Sequence, residues 1–524
     1  MQRLSLRRLS VSLVLSDRKM LKLFLISFFH CSLTDLSLMN RAGVLAPRHW
    51  ALHSAYWTGL FNWLGNCAGD ASFAYIFAQM ISSALSTGGT PALTRTQNVE
   101  IAIAVLLVWS LMNCLKIQSI GWVNNIASFI QAATIISLVV IILVIAPKLN
   151  SAKRTVLQYN NDTGFDQTYY VIILGLLFPL YGFAGYDGPG HLAEETKRSG
   201  KSASMGIIYT VFATGMFGFV LIVALLLAMQ DIDDAIGEES GNAAVQIILQ
   251  CSGTRIASIF SWLLVVNIFF CGSCSVTVTS RIWFALCRDR ATIFSEKLCA
   301  INSYFHSPIN GIICLFFLTS LLLLLPLHSE TGESAFLDVV SLSVISLQIS
   351  YGIPIFMKVL CIIWPSNHGN ISDKLSDGSF SLGFFSLPLG LVSCMWLFFT
   401  SLVLMMPTAY PIATDTMNFA SVGVTGIILF GILNWEFNSK KIFVGPRRAD
   451  NDYVIREGNF ILHNFINHLH LSFLSVKFSN LNSHFSSIPC CVSASNTLHE
   501  IHIHFLMFTR TWTFKDFITP AFDT

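Results

Sequence analysis

The sequence predicts an all-α integral membrane protein, and three observations lead to that fold class. First, 53% of its 524 residues are hydrophobic and only 11% are charged, whereas soluble proteins carry about 25% charged residues. Second, long apolar runs recur along the chain. Third, basic residues concentrate in alternate connecting loops. The low charge excludes an ordinary soluble enzyme, and a net charge of +2 provides no basic field for nucleic acid.

The apolar runs predict ten membrane-spanning helices, because a helix needs about 20 mostly apolar residues to cross a bilayer. Gly, Pro and Asn interrupt several runs, and membrane helices tolerate such interruptions. The predicted spans are roughly Tyr56–Leu85, Val99–Leu115, Gly121–Ala146, Tyr169–Tyr186, Ala203–Met229, Arg255–Ile282, Ile309–Leu327, Phe336–Leu360, Leu382–Met406 and Phe419–Trp435.

The loops between these spans predict their orientation. Alternate loops are rich in lysine and arginine, as in the stretch from Arg281 to Lys297, and the other loops are acidic or neutral apart from 147–168. By the positive-inside rule, the basic loops are cytoplasmic. Loop 147–168 also contains Asn161-Asp162-Thr163, a glycosylation acceptor pattern that requires an outside location. Both ends of the ten-span region are therefore expected in the cytoplasm.

The two ends of the chain differ from its middle. Residues 1–40 are basic and rich in serine, which fits a transit peptide, a weak signal sequence or an end unrelated to the membrane domain. Residues 449–524 hold scattered histidines without apolar periodicity, and we expect a poorly ordered cytoplasmic tail. Paired histidines two residues apart lie on opposite faces of a helix, so no metal site is predicted there.

The segment 178–201, FPLYGFAGYDGPGHLAEETKRSGK, is the most informative for function. Four glycines and Pro189 fall between Gly182 and Gly190. Glycine permits backbone conformations closed to other residues, and proline removes a hydrogen-bond donor. We expect the helix to break there and to resume at about 189–195. At membrane depth, broken helices line cavities and mark substrate sites in secondary transporters.

This break supplies most of the candidate site residues. Asp187 is expected to cap the resumed helix, to contact a solute or proton, or both. Glu194 and Glu195 are expected either to form a salt network at the cytoplasmic helix end or to belong to an inner gate. The predicted substrate-binding residues of the break are Gly182, Phe183, Ala184, Gly185, Tyr186 and Asp187.

Two other spans add polar candidates. Asn66 and Asp70 are four residues apart and share one helix face, and carboxylates inside membranes are usually functional. Asp70 is expected to serve a site or proton role, or to make an interhelical hydrogen bond. Ser273 and Ser275 offer hydroxyl groups, although serine is also a common packing residue in membrane helices. No zinc-protease or phosphate-loop motif is present, so neither an enzyme nor a cofactor or metal is predicted.

The motif GYDGPGHLAEETK (185–197) resembles the sixth-helix signature of eukaryotic amino-acid permeases of the amino acid/polyamine/organocation superfamily, in the branch of the GABA and choline permeases. Other stretches agree in order and extend the resemblance over about residues 40–450. YWTGLFNWLGNCAGDAS (56–72) resembles the third helix, FCGSCSVTVTSRIWFALCRD (270–289) the eighth, SPIN (307–310) the start of the ninth, and FVGPRR (443–448) the usual ending.

The resemblance implies an inverted-repeat helix bundle of twelve spans, of which residues 41–448 match helices three to twelve. It implies secondary active transport of amino acids or related amines by alternating access. The expected partners are the lipid bilayer, a small amino acid or amine, and protons as a candidate coupling ion. The expected location is the plasma membrane or a vacuolar or other endomembrane.

The same resemblance implies that the first two family helices are missing before 56. In the family, the first helix supplies backbone N–H groups to the substrate. The leading interpretation stays a transporter, which the absence of helix one could leave inactive as written, and the alternative function is a non-transporting truncated membrane protein or a regulatory remnant of a permease.

Overall fold

The computed structural model of the chain describes residues between 38 and 445. The described ranges are 38–47, 49–115, 117–151, 161, 163–175, 177–191, 199–231, 242–305, 307–328, 333–364, 383–407, 410, 417–443 and 445. The chain divides into a unit ending at Arg448 and a second unit, Ala449–Thr524. Of the predicted N-terminal segment 1–40, residues 1–37 lie outside the described residues, as does the tail 449–524, whereas 38–40 begin the helix Leu38–Leu45.

Within the described ranges, every regular element is a helix, as the composition predicts. The π-helical turn Trp435–Ser439 joins the last two helices, and a 3-10 turn, Gly383–Phe385, precedes the fourteenth. The helices are α1 (Leu38–Leu45), α2 (Ala51–Thr87), α3 (Arg95–Asn113), α4 (Ile117–Ile145), α5 (Thr168–Leu174), α6 (Leu177–Gly182), α7 (Gly188–His191), α8 (Ser199–Ala228), α9 (Ala243–Arg288), α10 (Ser295–Leu298), α11 (Ile309–Leu323), α12 (Leu325–His328), α13 (Glu333–Ile363), α14 (Ser386–Val403), α15 (Ala420–Asn434) and α16 (Lys440–Ile442).

Among the described residues, eight helices are long and apolar enough to cross a membrane, and they account for eight of the ten predicted spans. The other two predicted spans differ for physical reasons. Tyr56–Leu85 falls in α2, a helix of 37 residues whose polar side chains make it less apolar. Tyr169–Tyr186 is divided among the short helices α5 and α6 and the turn that follows them. The prediction of an all-α membrane fold is confirmed.

Helix α9 contains a bend that the apolar pattern does not reveal. It runs for 46 residues, and Gly253 within it adopts φ 73° and ψ 173°. A positive φ is accessible to glycine without steric cost. Residues 243–252 therefore form a separate helical piece, and 254–288 form the long helix that contains the predicted span.

Helix α2 lies at the centre of the described bundle and contacts α1, α3, α9, α11 and α13. Its approach to α13 is close, because the Ser343 hydroxyl donates to the Gly65 carbonyl at 2.7 Å. A Cβ added at Gly65 would lie 2.9 Å from the backbone nitrogen of Leu347. Small residues allow helix backbones to approach closely in membranes, and Gly65 does so here.

Helix α2 also contacts α15 near its N-terminal end. The buried hydroxyl of Tyr56 donates to the Gly431 carbonyl at 3.0 Å, and it accepts a hydrogen bond from the Asn434 amide at 2.8 Å. These partners lie 375 and 378 residues away along the chain. The central helix is thus fixed to a helix formed by the last part of the described chain.

Candidate functional site

The broken helix forms where the glycine-rich segment predicts it. Helix α6 ends at Gly182, and α7 begins at Gly188. Residues 183–187 form a turn between them, and Gly185 in this turn has φ 80°. The turn is closed by two bonds, from the Gly188 amide to the Gly185 carbonyl at 3.2 Å and from the Gly190 amide to the Asp187 carbonyl at 2.8 Å. A positive φ at Gly185 explains why the turn uses glycine at that position.

The carboxylate of Asp187 is buried at the end of this turn, with 3% of the residue exposed. It accepts hydrogen bonds from the Asn62 amide at 3.0 Å and from the Tyr351 hydroxyl at 2.8 Å. The His191 ring nitrogen lies 2.8 Å from the same carboxylate and forms an ion pair with it when the ring is protonated. Asp187 therefore joins three helices, α2, α7 and α13.

The three partners satisfy both oxygens of Asp187 through side chains. Two roles are expected for this residue, capping of the resumed helix and contact with a solute or proton. In the described part of the chain, the Asp187 side chain makes no hydrogen bond to the first backbone amides of α7. Its side-chain partners place Asp187 in a polar network inside the bundle. A buried carboxylate needs such partners because an isolated charge in a low-dielectric interior is very costly.

A second layer of contacts supports this network. The Asn62 amide also lies 3.3 Å from the Ser350 hydroxyl, to which it donates. Asn66 donates to the Asn62 carbonyl at 2.9 Å and to its side-chain oxygen at 3.3 Å. The predicted residue Asn66 therefore supports Asn62 one turn away. The sequence contained a signal for Asn62, since it lies four residues before Asn66 on the same helix face.

A pocket lies beside the turn, between α6, α13 and α14. About 370 Å³ of non-atom space lies within and in front of it, open solvent included. The rings of Tyr186 and Tyr351 pack in it with centroids 4.8 Å apart. Its lining is mostly apolar and aromatic: Leu180, Phe183, Ala184, Tyr186, Val344, Leu347, Gln348, Tyr351, Trp396 and Leu397.

Three predicted substrate-binding residues, Phe183, Ala184 and Tyr186, line this pocket. Gly182 and Gly185 lie in the same break, and a Cβ at either would meet no atom within 4 Å. The break is therefore open on the side of these glycines, which leaves room for a ligand or for movement of the turn.

Gln348 is the amide side chain of the pocket, and the sequence pattern did not single it out. Its side-chain oxygen accepts hydrogen bonds from the Thr400 hydroxyl at 3.1 Å and the Ser401 hydroxyl at 2.9 Å, both on α14. These two donors occupy the oxygen, so the amide nitrogen is the group that Gln348 can offer to a ligand.

Asp70 lies in a separate polar group between α2 and α9. It is 1% exposed, and the Ser275 hydroxyl donates to its Oδ1 at 2.5 Å. The interhelical hydrogen bond expected of Asp70 is present. Ser273 is also buried, but its carbonyl accepts from Thr277, and the residue does not line the pocket. The structure thus separates Asp70 and Ser275 from the Asp187 network.

Glu194 and Glu195, the predicted gate residues, lie outside the described residues. In the described ranges, no group of three or more His, Cys, Asp or Glu side chains is arranged to hold a metal ion.

Comparison with known sequences agrees with the family resemblance of the sequence motifs. The sequence model described as "Amino acid permease" matches residues 41–430. The amino-acid permease BAT1 of Arabidopsis thaliana is 30% identical over 422 residues, which cover 77% of this chain and 79% of that protein. The BAT1 homolog of Oryza sativa subsp. japonica is 29% identical, with 77% and 78% covered. A choline transporter of Saccharomyces cerevisiae is 24% identical, with 79% and 72% covered.

Proposed function

The chain belongs to the amino acid permease family, and we propose that it is a secondary active transporter that moves amino acids or related amines by alternating access. Its family makes it a multi-pass membrane transporter rather than an enzyme. The observation that carries the finer proposal is the helix break, with its buried Asp187 and the aromatic pocket beside it. We place residues 41–448 in the transporter domain, in the plasma membrane or an endomembrane.

The pocket is suited to the ammonium group that amino acids and amines share. Ammonium groups are attracted to the faces of aromatic rings, by about 0.5 to 2 kcal/mol, and the pocket presents Phe183, Tyr186, Tyr351 and Trp396. Tyr351 connects the pocket to Asp187, since its ring lines the pocket and its hydroxyl donates to the carboxylate. The Gln348 amide nitrogen supplies a donor for a carboxylate or hydroxyl of the substrate.

The Asp187 network suggests how the site changes during transport. In alternating access, a group of helices that contains the break moves against the rest of the bundle. Asp187 is bonded to Asn62 on α2 and to Tyr351 on α13. Movement of the break relative to both helices has to separate or exchange these bonds. The substrate ammonium then replaces a donor that Asp187 loses, so binding and movement are linked.

Uptake by the full chain in proteoliposomes tests this proposal. Radiolabelled amino acids, choline and polyamines are offered in turn, and each is competed with the others. We expect saturable uptake of at least one compound and a several-fold increase in KM for Gln348→Ala. Asp338→Asn is the matched control, because Asp338 accepts from the Phe419 amide at the start of α15, away from the pocket. Absence of uptake for the whole panel by folded protein would contradict the proposal.

A second candidate function is a non-transporting membrane protein that regulates or replaces a transporting partner. The observation in its favour is that both oxygens of Asp187 already accept from protein donors in the described structure. If these bonds are permanent, the break is a structural joint. Substrate binding without uptake, measured on the same proteoliposomes, would support this second function.

A further inference from the structure

Asp70 is a second buried carboxylate whose environment the substrate site does not explain. It lies on α2 two turns after Asn62 and faces α9, away from the lining of the pocket. One of its oxygens, Oδ1, accepts from the Ser275 hydroxyl at 2.5 Å. The other oxygen, Oδ2, is buried and has no hydrogen-bond partner among the described residues.

No cation within the described ranges balances this carboxylate. The ion pairs of the described chain do not include Asp70. The groups that face it are the hydroxyls of Ser275 and Thr279 on α9, the thiol of Cys67 on α2 and the phenol of Tyr181 on α6. All of these are neutral at pH 7 in their usual state. A charge without a counter-charge is unfavourable in the membrane interior, so the site favours a bound cation or a proton.

The neighbouring atoms favour a proton over a metal cation. Hard cations such as Ca²⁺ and Mg²⁺ are held by about six or more oxygen ligands, whereas the described side-chain oxygens beside the Asp70 carboxylate are the hydroxyls of Ser275, Thr279 and Tyr181. Ser275 donates to Asp70, and Thr279 donates to the Ser275 carbonyl at 3.0 Å. The thiols of Cys67 and Cys271 occupy other positions near the site, and thiols suit soft metals. A proton on Oδ2 needs no such ligand set.

Tyr181 connects Asp70 to the part of the bundle that is proposed to move. It is the residue before Gly182, at the end of α6 where the helix breaks. Its hydroxyl is buried beside Ser72, close enough to respond to the Asp70 charge, and has no hydrogen-bond partner of ordinary geometry among the described residues. The phenol oxygen is therefore a candidate acceptor for a protonated Asp70 when the break moves. Protonation of Asp70 is thus able to stabilise one position of the break relative to α2.

We propose that Asp70 is the group at which the coupling proton binds and is released, an inference that rests on the transport function proposed above. A proton from water on one side of the membrane binds to Oδ2 and neutralises the carboxylate. The break moves with substrate, and the proton is released to water on the other side. No other bond forms or breaks, and one positive charge crosses per cycle with the substrate.

The test uses the purified full chain in proteoliposomes with an imposed pH gradient and the best compound from the uptake panel. Wild-type protein is expected to concentrate the compound several-fold. Asp70→Asn, which resembles the neutral protonated state, is expected to equalise the internal and external concentrations without accumulation. Asp338→Asn is expected to accumulate like wild type. Ser275→Ala removes a bond that stabilises the charged carboxylate, so its half-maximal uptake shifts to higher pH.

An infrared measurement tests the proton site even where transport is absent. A protonated carboxyl group has a carbonyl stretching band that a carboxylate lacks. We expect this band to be stronger at pH 6 than at pH 9 in wild type, and we expect Asp70→Asn to remove a component of that difference which Asp338→Asn leaves in place. Absence of wild-type uptake would overturn the transport proposal alone. Accumulation by Asp70→Asn, accumulation driven by sodium instead of protons, or a pH-dependent band of undiminished intensity in Asp70→Asn would overturn the proton site.

Discussion

The two buried carboxylates of this transporter occupy opposite kinds of environment. Asp187 receives three donors, from helices α2, α7 and α13, and one of them is a histidine. Asp70, on the same central helix α2 that supplies Asn62, receives one short hydrogen bond and retains an unpartnered oxygen. The difference teaches that burial alone does not assign a role to a membrane carboxylate. We propose that the number and charge of its partners distinguish a carboxylate that joins helices from one that exchanges a proton.

The largest expected effect comes from removing the charge at Asp187. Asp187→Asn leaves the donors of Asn62, Tyr351 and His191 facing an amide instead of a carboxylate. Breaking a buried charged group away from its partners costs about 3–5 kcal/mol, and we expect the free energy of unfolding to fall by that order. Thermal melting in detergent measures the loss, and uptake should disappear with it.

Asp70→Asn is the matched variant for this comparison. An amide removes a charge that has no counter-cation in the described structure, so its effect on the free energy of unfolding should stay below about 1 kcal/mol. Equal destabilisation by the two substitutions would show that the two carboxylates play similar structural roles, and it would contradict the difference expected from their partners.

A smaller effect is expected from enlarging the glycine between the two sites. In Gly65→Ala the new Cβ would lie 2.7 Å from a side-chain carbon of Leu347 and 2.9 Å from its backbone nitrogen. Overpacking of this kind costs about 1–3 kcal/mol. Denaturant titration of the reconstituted protein measures the change, and we also expect slower uptake because α2 and α13 are forced apart.

Gly218→Ala is the control for that substitution. Gly218 lies inside α8, and a Cβ there would meet no atom within 4 Å. Alanine is favoured over glycine in a helix interior by about 1 kcal/mol, so this variant should be slightly stabilised. A loss of stability as large as that of Gly65→Ala would mean that the close α2–α13 contact is not the cause.

Two tyrosine substitutions extend the comparison, and the second of them has the smallest expected effect on stability. Tyr351→Phe removes a hydrogen bond to the Asp187 carboxylate. A bond to a charged group is worth about 1.5–3 kcal/mol, and we expect the affinity for substrate to fall as well. Tyr181→Phe removes a hydroxyl that has no partner of ordinary geometry in the described chain, and it should change stability by a few tenths of a kcal/mol. Its effect should appear in the pH dependence of uptake. A pH profile identical to wild type would count against the link between Tyr181 and Asp70.

Local features of the site could be predicted from the sequence, whereas its assembly could not. The break between Gly182 and Gly188 follows from residues that are adjacent in the chain, because glycine and proline act on their own backbone. The bond between Asp70 and Ser275 joins two residues that were both candidates, but their pairing depends on the packing of α2 against α9. The sequence analysis did not single out Asn62, Tyr351 or Gln348. Each is a common polar residue, and each acquires its role only through a partner on another helix.

The helices show the same division between local and tertiary information. Apolar content identifies helices that face lipid, such as α4, where 17% of the residues in the span are buried. It identifies less well the central helix α2, which is surrounded by protein and can therefore carry Asn62, Asn66 and Asp70. Among the helices that carry site residues, α2 thus resembles a membrane span less than α13 does, although both are largely buried.

The contact between Tyr56 and α15 has a consequence for biosynthesis. Ribosomes add about 5–20 residues per second, so Tyr56 emerges roughly 20 to 75 s before Gly431, its partner 375 residues later. During that interval the central helix resides in the membrane with its buried phenol unsatisfied by α15. Nascent chains of this protein should therefore depend on insertion factors or chaperones for about a minute, and a translational pause before 431 should increase their degradation.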